Sequence, residues 1–181
     1  PRLRAEALQA RRVLQEKPCR RGDIRDAQDN LLALSEDVWD IGVDPDVLTK
    51  ADRERAAEVA VALGLPAAKV RLAFDTTVRT DAAGEEHRIR WSILAREAGE
   101  DVVKRVKALG IKALRAELKY RRSYPKGQLA AHVLGYVNKE GVPAAGIESV
   151  MNSLLEGQKG WIESERDGRH RELTSIRLRE V

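Results

Sequence analysis

The sequence contains one cysteine, few aromatic residues and no long apolar segment. A single thiol, Cys19, cannot form an intrachain disulfide, so the fold must be held without covalent cross-links. Aromatic residues make up only 4% of the chain, which leaves Leu, Val, Ile and Ala to build its cores. No run of apolar residues reaches the length needed to cross a bilayer, which predicts no transmembrane helix within these 181 residues.

The common signatures of cofactor and metal sites are also missing. No glycine run has the spacing of a phosphate-binding loop, and no sequence pattern pairs two carboxylates for acid–base chemistry. His87, His132 and His170 are far apart and lack acidic or cysteine partners at metal-ligand spacing. We therefore predict neither a cofactor nor a metal, and we expect His132 to pack on or cap a short helix.

The residues that are present indicate a globular protein of one domain or two small lobes. Hydrophobic residues are 43% and charged residues 34% of the chain, with a net charge of +4. Residues 1–25 hold eight basic and three acidic residues, whereas residues 26–50 hold one basic and seven acidic residues. Such asymmetry can mark an interaction tail. With the pair Arg121-Arg122, it leaves a nucleic-acid or anionic-surface binding module as one hypothesis.

Local patterns predict alternating strands and short helices. Residues 2–16 have high helix propensity and predict a lead-in helix that ends at Pro18. Two apolar runs around a polar turn at 27–30 predict a hairpin, and residues 38–43 predict a strand. Thr49 and Asp52 form a capping-box pattern that predicts a helix start.

Later segments follow the same logic. Residues 87–94 alternate as a half-buried strand does, and residues 102–109 predict a helix. Residues 111–122 read as extended structure, and residues 146–155 as a helix. The dipeptide Asp167-Gly168 predicts the turn of a terminal hairpin.

The segment from Tyr120 to Tyr136 carries a second hypothesis. It predicts a strand, then a turn, then a helix over residues 128–134 that Gly135 ends. Ser123-x-x-Lys126 inside it matches the serine–lysine pattern of acyl-transferring enzymes. That chemistry needs the serine at a helix N-terminus, but Pro125 stands between the two residues and no Lys-Thr-Gly accompanies them. The pattern therefore favours a turn over a small serine acyl-transferase.

Four sets of residues, in order and at specific spacing, resemble the N-terminal pedestal (dimerisation) domain of class B penicillin-binding proteins. The sets are Arg21-Gly22-x-Ile24-x-Asp26 with Leu32-Ala33-x-Ser35, Arg122-x-Tyr124-Pro125-x-Gly127 with Ala131-His132-x-Leu134-Gly135-Tyr136, Gly146-Ile147-Glu148 with Leu155-x-Gly157-x-x-Gly160, and Asp167-x-x-x-Arg171. The first hairpin departs from the family, which usually has Asp-Arg-x-Gly where this chain has Asp26-Ala27-Gln28-Asp29-Asn30.

The resemblance implies an α+β fold of two lobes. Residues 20–36 and 118–181 would form a mixed-sheet base, residues 37–117 an inserted helix-rich head, and residues 1–19 a membrane-proximal lead-in helix. The structural or interface residues that it implies are Arg21, Gly22, Asp26, Arg122, Tyr124, Pro125, Gly127, His132, Gly135, Gly146 and Glu148. The opposite charges among them suggest a polar framework, for which we expect a pairing of Arg21 with Glu148.

The resemblance also implies a function. The domain would be a non-catalytic scaffold that holds a peptidoglycan transpeptidase on the outer side of the inner membrane, in a parent anchored by one membrane helix. Its implied partners are its own transpeptidase domain, a polytopic peptidoglycan glycosyltransferase and scaffold proteins of division or elongation, with a homodimer as a further option and no nucleic acid. The run from Gly135 to Glu148 favours the division type.

Overall fold

The computed structural model describes residues 12–82, 84–158, 160–166 and 172–180. Its strands are β1 (Arg12–Lys17), β2 (Ile24–Arg25), β3 (Leu31–Val43), β4 (Val78–Thr80), β5 (Glu86–Arg88), β6 (Ser92–Ala98), β7 (Leu114–Ser123), β8 (Gly160–Arg166) and β9 (Glu172–Glu180). Its helices are α1 (Lys50–Glu54), α2 (Ala56–Leu63), α3 (Ala67–Asp75), α4 (Glu100–Ala108), α5 (Ala131–Leu134), α6 (Gly146–Val150) and α7 (Asn152–Leu155). This content of helices and separate sheets confirms the α+β class.

The chain divides into two compact units. Unit 1 combines Pro1–Ser35 with Arg122–Val181, and unit 2 is Glu36–Arg121. The sequence-based division falls after residues 36 and 117, and the structural division falls after residues 35 and 121. The chain therefore passes between the units twice: unit 1 is discontinuous in sequence, and unit 2 is inserted into it.

Unit 1 contains an antiparallel sheet in the order β1-β8-β9. The expected lead-in helix is wrong for residues 12–17, because these residues form β1 and pair with β8 from Arg12 opposite Glu165 to Lys17 opposite Gly160. Pairing with a distant strand overrides the local helix propensity. The predicted turn at Asp167-Gly168 and the motif arginine at 171 lie outside the described residues, and the strands on either side of them, β8 and β9, pair antiparallel.

The rest of unit 1 packs short helices against the hairpin of β2 and β3. Ile24 lies opposite Ala33 in this antiparallel pair. A small cluster of buried residues, Ile24, Ala33 and Leu134, holds α5 against the hairpin. The helix predicted over residues 128–134 is shorter than expected: residues 125–130 form turns, and α5 begins only after Ala130, whose φ is 56°.

Unit 2 surrounds its core with α1 to α4. Thr49 and Asp52 form the predicted capping box, in which the Asp52 N–H donates to Thr49 Oγ1 and the Thr49 N–H donates to Asp52 Oδ2. The core between these helices and strands β3, β6 and β7 includes the fully buried Val43, Val59 and Val70. The strand pairings with a defined register in the described residues are antiparallel, and β7 also pairs with β3.

The strand predicted over residues 87–94 is interrupted. β5 pairs with β4, whereas β6 pairs with β3, so the chain changes partners between Arg88 and Ser92. Trp91 lies in this break and its indole covers Gly42, where an added Cβ would approach the ring to 2.7 Å. Among the residues described, no helix is both long and apolar enough to span a bilayer.

Two glycines of unit 1 form a backbone contact that other residues cannot make. Gly135 ends α5 with φ 72°, and Gly146 begins α6 with φ 61°. A Cβ at Gly135 would lie 1.8 Å from the Ala145 carbonyl oxygen, and one at Gly146 would lie 2.5 Å from the Gly135 nitrogen. Each glycine is therefore required both for its left-handed conformation and for space.

We predict that Gly135→Ala lowers the free energy of unfolding by roughly 2–6 kcal/mol, because about 1–3 kcal/mol of backbone strain at φ 72° and ψ −155° adds to about 1–3 kcal/mol of overpacking. The matched control is Gly127→Ala, since Gly127 has φ 58° but a Cβ added there would meet no atom within 4 Å. Urea unfolding of both variants measures the difference. Equal destabilisation by the two substitutions would show that the close backbone contact contributes nothing.

Candidate functional site

A buried carboxylate lies at the centre of unit 1. The Glu148 side chain is fully buried and is reached from two sides by guanidinium groups. Arg21 Nε donates to Glu148 Oε2 at 2.6 Å, and Arg122 Nε donates to Glu148 Oε1 at 2.7 Å. Charge-assisted hydrogen bonds of this length are strong, and each carboxylate oxygen receives its own cation. One acid thus ties together three segments that are far apart in sequence.

Arg21 donates its remaining hydrogen bonds to α6, which contains Glu148, and to α7, which follows it. Its Nη1 donates to Asn152 Oδ1 at 2.6 Å and its Nη2 to the Glu148 carbonyl oxygen at 2.7 Å. Asn152 was not anticipated from the sequence. Its position four residues after Glu148 was the available signal, because residues at this spacing share a face of helical structure.

Arg122 connects the same carboxylate to the first hairpin. Its Nη1 donates to the Gly22 carbonyl oxygen at 2.8 Å and to Ser35 Oγ at 3.3 Å. Ser35 Oγ in turn donates to the Arg21 carbonyl oxygen at 3.0 Å. Arg122 Nη2 is buried without a hydrogen-bond partner among the described residues. The two guanidinium groups and one carboxylate therefore leave an excess positive charge in a largely buried place.

Tyr124 completes the group around the carboxylate. Its hydroxyl donates to Glu148 Oε1 at 3.3 Å and accepts from the Val137 N–H at 3.1 Å. Burial, together with the negative charge of Glu148, raises the pKa of Tyr124 above its ordinary value. Tyr124 therefore stays a neutral donor at physiological pH. We call Arg21, Arg122, Tyr124 and Glu148 the carboxylate hub.

Asp26, the other charged residue expected in the framework, lies at the hairpin turn. Its Oδ1 accepts from the N–H groups of Gln28 and Asn30, and its Oδ2 accepts from Asn30 Nδ2. The side-chain and backbone hydrogen bonds from Asn30 lower the pKa of Asp26. Asp29 takes the left-handed conformation, with φ 66°, that favours glycine in such turns. The turn therefore forms without the family's arginine and glycine.

Of the remaining expected site residues, some form backbone contacts and the others lie exposed on the surface. Gly22 donates its N–H to the Leu155 carbonyl oxygen at 2.8 Å, and Gly135 and Gly146 form the close backbone contact between α5 and α6. Pro125 and Gly127 are exposed in the turn after β7, where the Gly127 N–H donates to the Tyr124 carbonyl oxygen. His132 is exposed on α5 rather than packed against it, because the short helix buries only Leu134.

The geometry does not support the serine–lysine hypothesis. Ser123 is the last residue of β7, and α5 begins eight residues later at Ala131. Ser123 therefore does not lie at a helix N-terminus with Lys126 one helical turn beyond it. Lys126 is exposed, and its positive charge helps to lower the pKa of Asp26.

The arginine pair expected to contribute to nucleic-acid binding is already engaged. Within unit 2, Arg121 Nη2 donates to Glu36 Oε2 at 2.8 Å and its Nη1 to Glu97 Oε2 at 3.2 Å. Arg122 belongs to the carboxylate hub of unit 1. Since both side chains form ion pairs with carboxylates, they do not present a free basic patch to phosphate groups.

One cluster of potential ligands was missed by the sequence reasoning. In unit 2, Asp81, Glu85 and His87 each offer a donor atom, and these atoms all lie within 4.8 Å of one another. The expectation that His87 lacks acidic partners is therefore wrong. Glu85 is two residues from His87 in the sequence, but Asp81 comes beside His87 only through the register of the β4–β5 hairpin, which places Arg79 opposite His87.

Residues 16–180 match the model of the penicillin-binding protein dimerisation domain. The chain belongs to this family. The dimerisation domain is the non-catalytic pedestal of class B penicillin-binding proteins, and it is distinct from the transpeptidase domain in which their catalysis takes place. The family match gives no support to the nucleic-acid hypothesis.

The dimerisation domain is similar to parts of larger proteins. It is 28% identical over 153 residues to the peptidoglycan D,D-transpeptidase FtsI of Escherichia coli, covering 81% of this chain and 24% of that protein. It is 29% identical over 143 residues to the probable peptidoglycan D,D-transpeptidase PbpC of Pseudomonas aeruginosa, covering 79% of this chain and 24% of that protein. The chain thus spans about a quarter of the length of these relatives.

Solved structures share the fold. Penicillin-binding protein 2X from Streptococcus thermophilus superposes with a TM-score of 0.68 at 20% identity, over 93% of this chain and 27% of that chain. Penicillin-binding protein 2 of Helicobacter pylori, solved in complex with MreC, superposes with a TM-score of 0.59 at 19% identity, over 94% of this chain and 34% of that chain. At these identities the likeness concerns the fold.

We predict that Glu148→Gln lowers the free energy of unfolding by about 3–5 kcal/mol, because it leaves two buried guanidinium groups without their counter-charge. Thermal and urea unfolding of the purified chain measure the loss. The matched control is Glu97→Gln, whose ion pair with Arg121 is exposed and is worth no more than about 1 kcal/mol. Similar losses in the two variants would contradict a special role for the hub.

The carboxylate hub predicts that exchanging the charges of Arg21 and Glu148 does not restore stability. If Arg21 paired with Glu148 alone, exchanging the two charges would restore stability. Since Arg122 bonds to the same carboxylate, an arginine at position 148 would face Arg122, and the swapped protein should remain destabilised. Recovery of wild-type stability in the swapped variant would show that the contact of Arg122 is dispensable.

Proposed function

We propose that this chain is the pedestal that positions a peptidoglycan transpeptidase and docks other proteins of bacterial cell-wall synthesis. The observation that carries the proposal is the family match over residues 16–180, which includes every residue of the carboxylate hub. In this proposal unit 1 is the base, unit 2 is the inserted head, and the hub residues are structural rather than reactive. The parent is a single-pass inner-membrane protein with this domain on the periplasmic side.

The proposed partners are the transpeptidase domain of the same parent, a polytopic peptidoglycan glycosyltransferase and scaffold proteins of division or elongation. A scaffold partner is supported by the Helicobacter pylori relative, whose structure is a complex with MreC. Self-association is a further proposal, and it is supported by the name of the matched family.

Exposed apolar side chains of unit 1 support a docking surface for a second protein domain. Seven large hydrophobic residues between positions 129 and 154 are exposed, and two of them, Val150 and Leu154, are 77% and 80% exposed. Single exposed apolar residues are normal on a protein surface, but a large contiguous group of them marks a site where another protein packs. We propose that the transpeptidase domain contacts this surface.

A labelled β-lactam tests whether the chain is a scaffold or an enzyme. We expect no covalent labelling of the purified 181-residue chain, because Ser123 lacks the helix N-terminus that would activate it. Ser123→Ala serves as the control and should behave identically in gel fluorescence. Labelling that disappears in Ser123→Ala would overturn the scaffold proposal.

A binding assay tests the proposed docking surface. The double variant Val150→Asp/Leu154→Asp should weaken binding of the chain to the parent's transpeptidase domain by about tenfold or more, since loss of an interface anchor costs more than about 1 kcal/mol. The matched control is Val61→Asp/Leu72→Asp in unit 2, where the side chains are 83% and 69% exposed. Calorimetry measures the affinities, and thermal unfolding checks that both variants fold. Equal binding by all three proteins would contradict this surface.

A further inference from the structure

The β4–β5 hairpin of unit 2 carries the ligand cluster that the pedestal role does not use. His87 Nε2 lies 3.0 Å from Asp81 Oδ2. Asp81, Glu85 and His87 each offer one ligand atom, and these three atoms all lie within 4.8 Å of one another. Ligand atoms around a tetrahedral Zn²⁺ are roughly 3.3–3.5 Å apart, given metal–ligand distances of about 2.0–2.2 Å. The first pair is already near this spacing, and rotation of the exposed Glu85 side chain can bring in the third donor.

The hairpin backbone orients one of the ligands. Asp81 Oδ1 accepts from the Glu85 N–H at 3.0 Å, and the Asp81 N–H donates to the Glu85 carbonyl oxygen at 3.0 Å. These bonds fix the Asp81 carboxylate so that its other oxygen, Oδ2, points to His87. Hydrogen bonds that hold a ligating carboxylate are typical supports of metal sites.

Burial of apolar side chains from β4 and β5 contributes little to the stability of the hairpin. All six residues of β4 and β5 are exposed, and among the described strands these two pair with each other alone. An isolated two-stranded hairpin is marginally stable in water at best. A metal ion bound between Asp81 at the end of β4 and His87 in β5 would cross-link the two strands and supply the stability that burial does not.

We propose that Asp81, Glu85 and His87 form a binding site for a divalent transition-metal ion of the Zn²⁺ class. An imidazole and two carboxylates suit Zn²⁺, and the carboxylates would neutralise the charge of the ion. The three side chains leave at least one coordination position to water or to a ligand from another protein. The site is independent of the carboxylate hub, which lies in unit 1.

Calorimetric titration of the 181-residue chain with Zn²⁺ near neutral pH tests the site. We expect saturable binding of one ion in the wild-type chain, and an affinity that falls by more than about 100-fold in His87→Ala. Loss of a mere supporting group costs about 10–100-fold, so loss of a ligand should cost at least as much. Asp81→Asn and Glu85→Gln should each weaken binding by about tenfold or more.

Two control variants separate this site from adventitious binding. Glu86→Gln removes a carboxylate from the same hairpin, but Glu86 precedes His87 in β5, so its side chain lies on the opposite face of the strand from His87. His132→Ala removes the exposed histidine of α5, in unit 1. Both variants should keep wild-type affinity.

Hydrogen exchange supplies a second readout, which reports the effect of Zn²⁺ on the hairpin of the wild-type chain itself. Zn²⁺ should slow exchange at the hairpin amides of Val78–Thr80 and Glu86–Arg88 in the wild-type chain, and should leave exchange unchanged in His87→Ala. The proposal is overturned if the wild-type chain shows no saturable binding below about 1 mM Zn²⁺. It is equally overturned if His87→Ala binds as tightly as the wild-type chain, or if either control variant loses binding.

Discussion

A fully buried carboxylate must be given counter-charges, and this requirement organises unit 1. Glu148 receives them from Arg21, which is 127 residues away, and from Arg122, which is 26 residues away. Removing a charge from water costs several kcal/mol, and only close, well-aligned partners offset that cost. Glu148 therefore joins parts of unit 1 that lie on both sides of the inserted unit in the sequence, because Arg21 precedes that unit and Arg122 directly follows it. Loss of the segment that carries Glu148 would leave both guanidinium groups without their carboxylate.

Unit 2 contains a local interaction, the capping box of α1, that the sequence pattern alone predicts. The capping box of Thr49 and Asp52 was predictable because its two partners are three residues apart. Asp40 is the buried acid of this unit. Burial opposes its ionisation, but hydrogen bonds from Lys119 and from the Glu97 N–H outweigh burial and hold the pKa of Asp40 below its usual range. Those long-range partners left no pattern in the sequence.

The errors made from the sequence have a common physical origin. Residues 12–17 have helix propensity, but a strand near the other end of the chain, from Gly160 to Arg166, offers them a sheet edge, and tertiary pairing decides. The pairing of Arg21 with Glu148 could be suspected from opposite charges, whereas the sharing of Glu148 with Arg122 could not, because nothing local encodes it. The sequence shows no pairing of His87 with Asp81, since the hairpin turn alone brings these two side chains together.

The carboxylate hub and the glycine contact depend on each other. Helix α6 has five residues, too few to be stable in water without tertiary support. Its start is set by Gly146, whose backbone touches that of Gly135, and Glu148 lies two residues later. The backbone contact therefore directs the Glu148 side chain towards the arginines, and the arginines in turn hold α6 in place. The two glycines and the three charged residues of the hub together fix the positions of short helices that are weakly stable by themselves. That requirement belongs to a scaffold, where the position of the backbone is the functional property and no side chain needs to react.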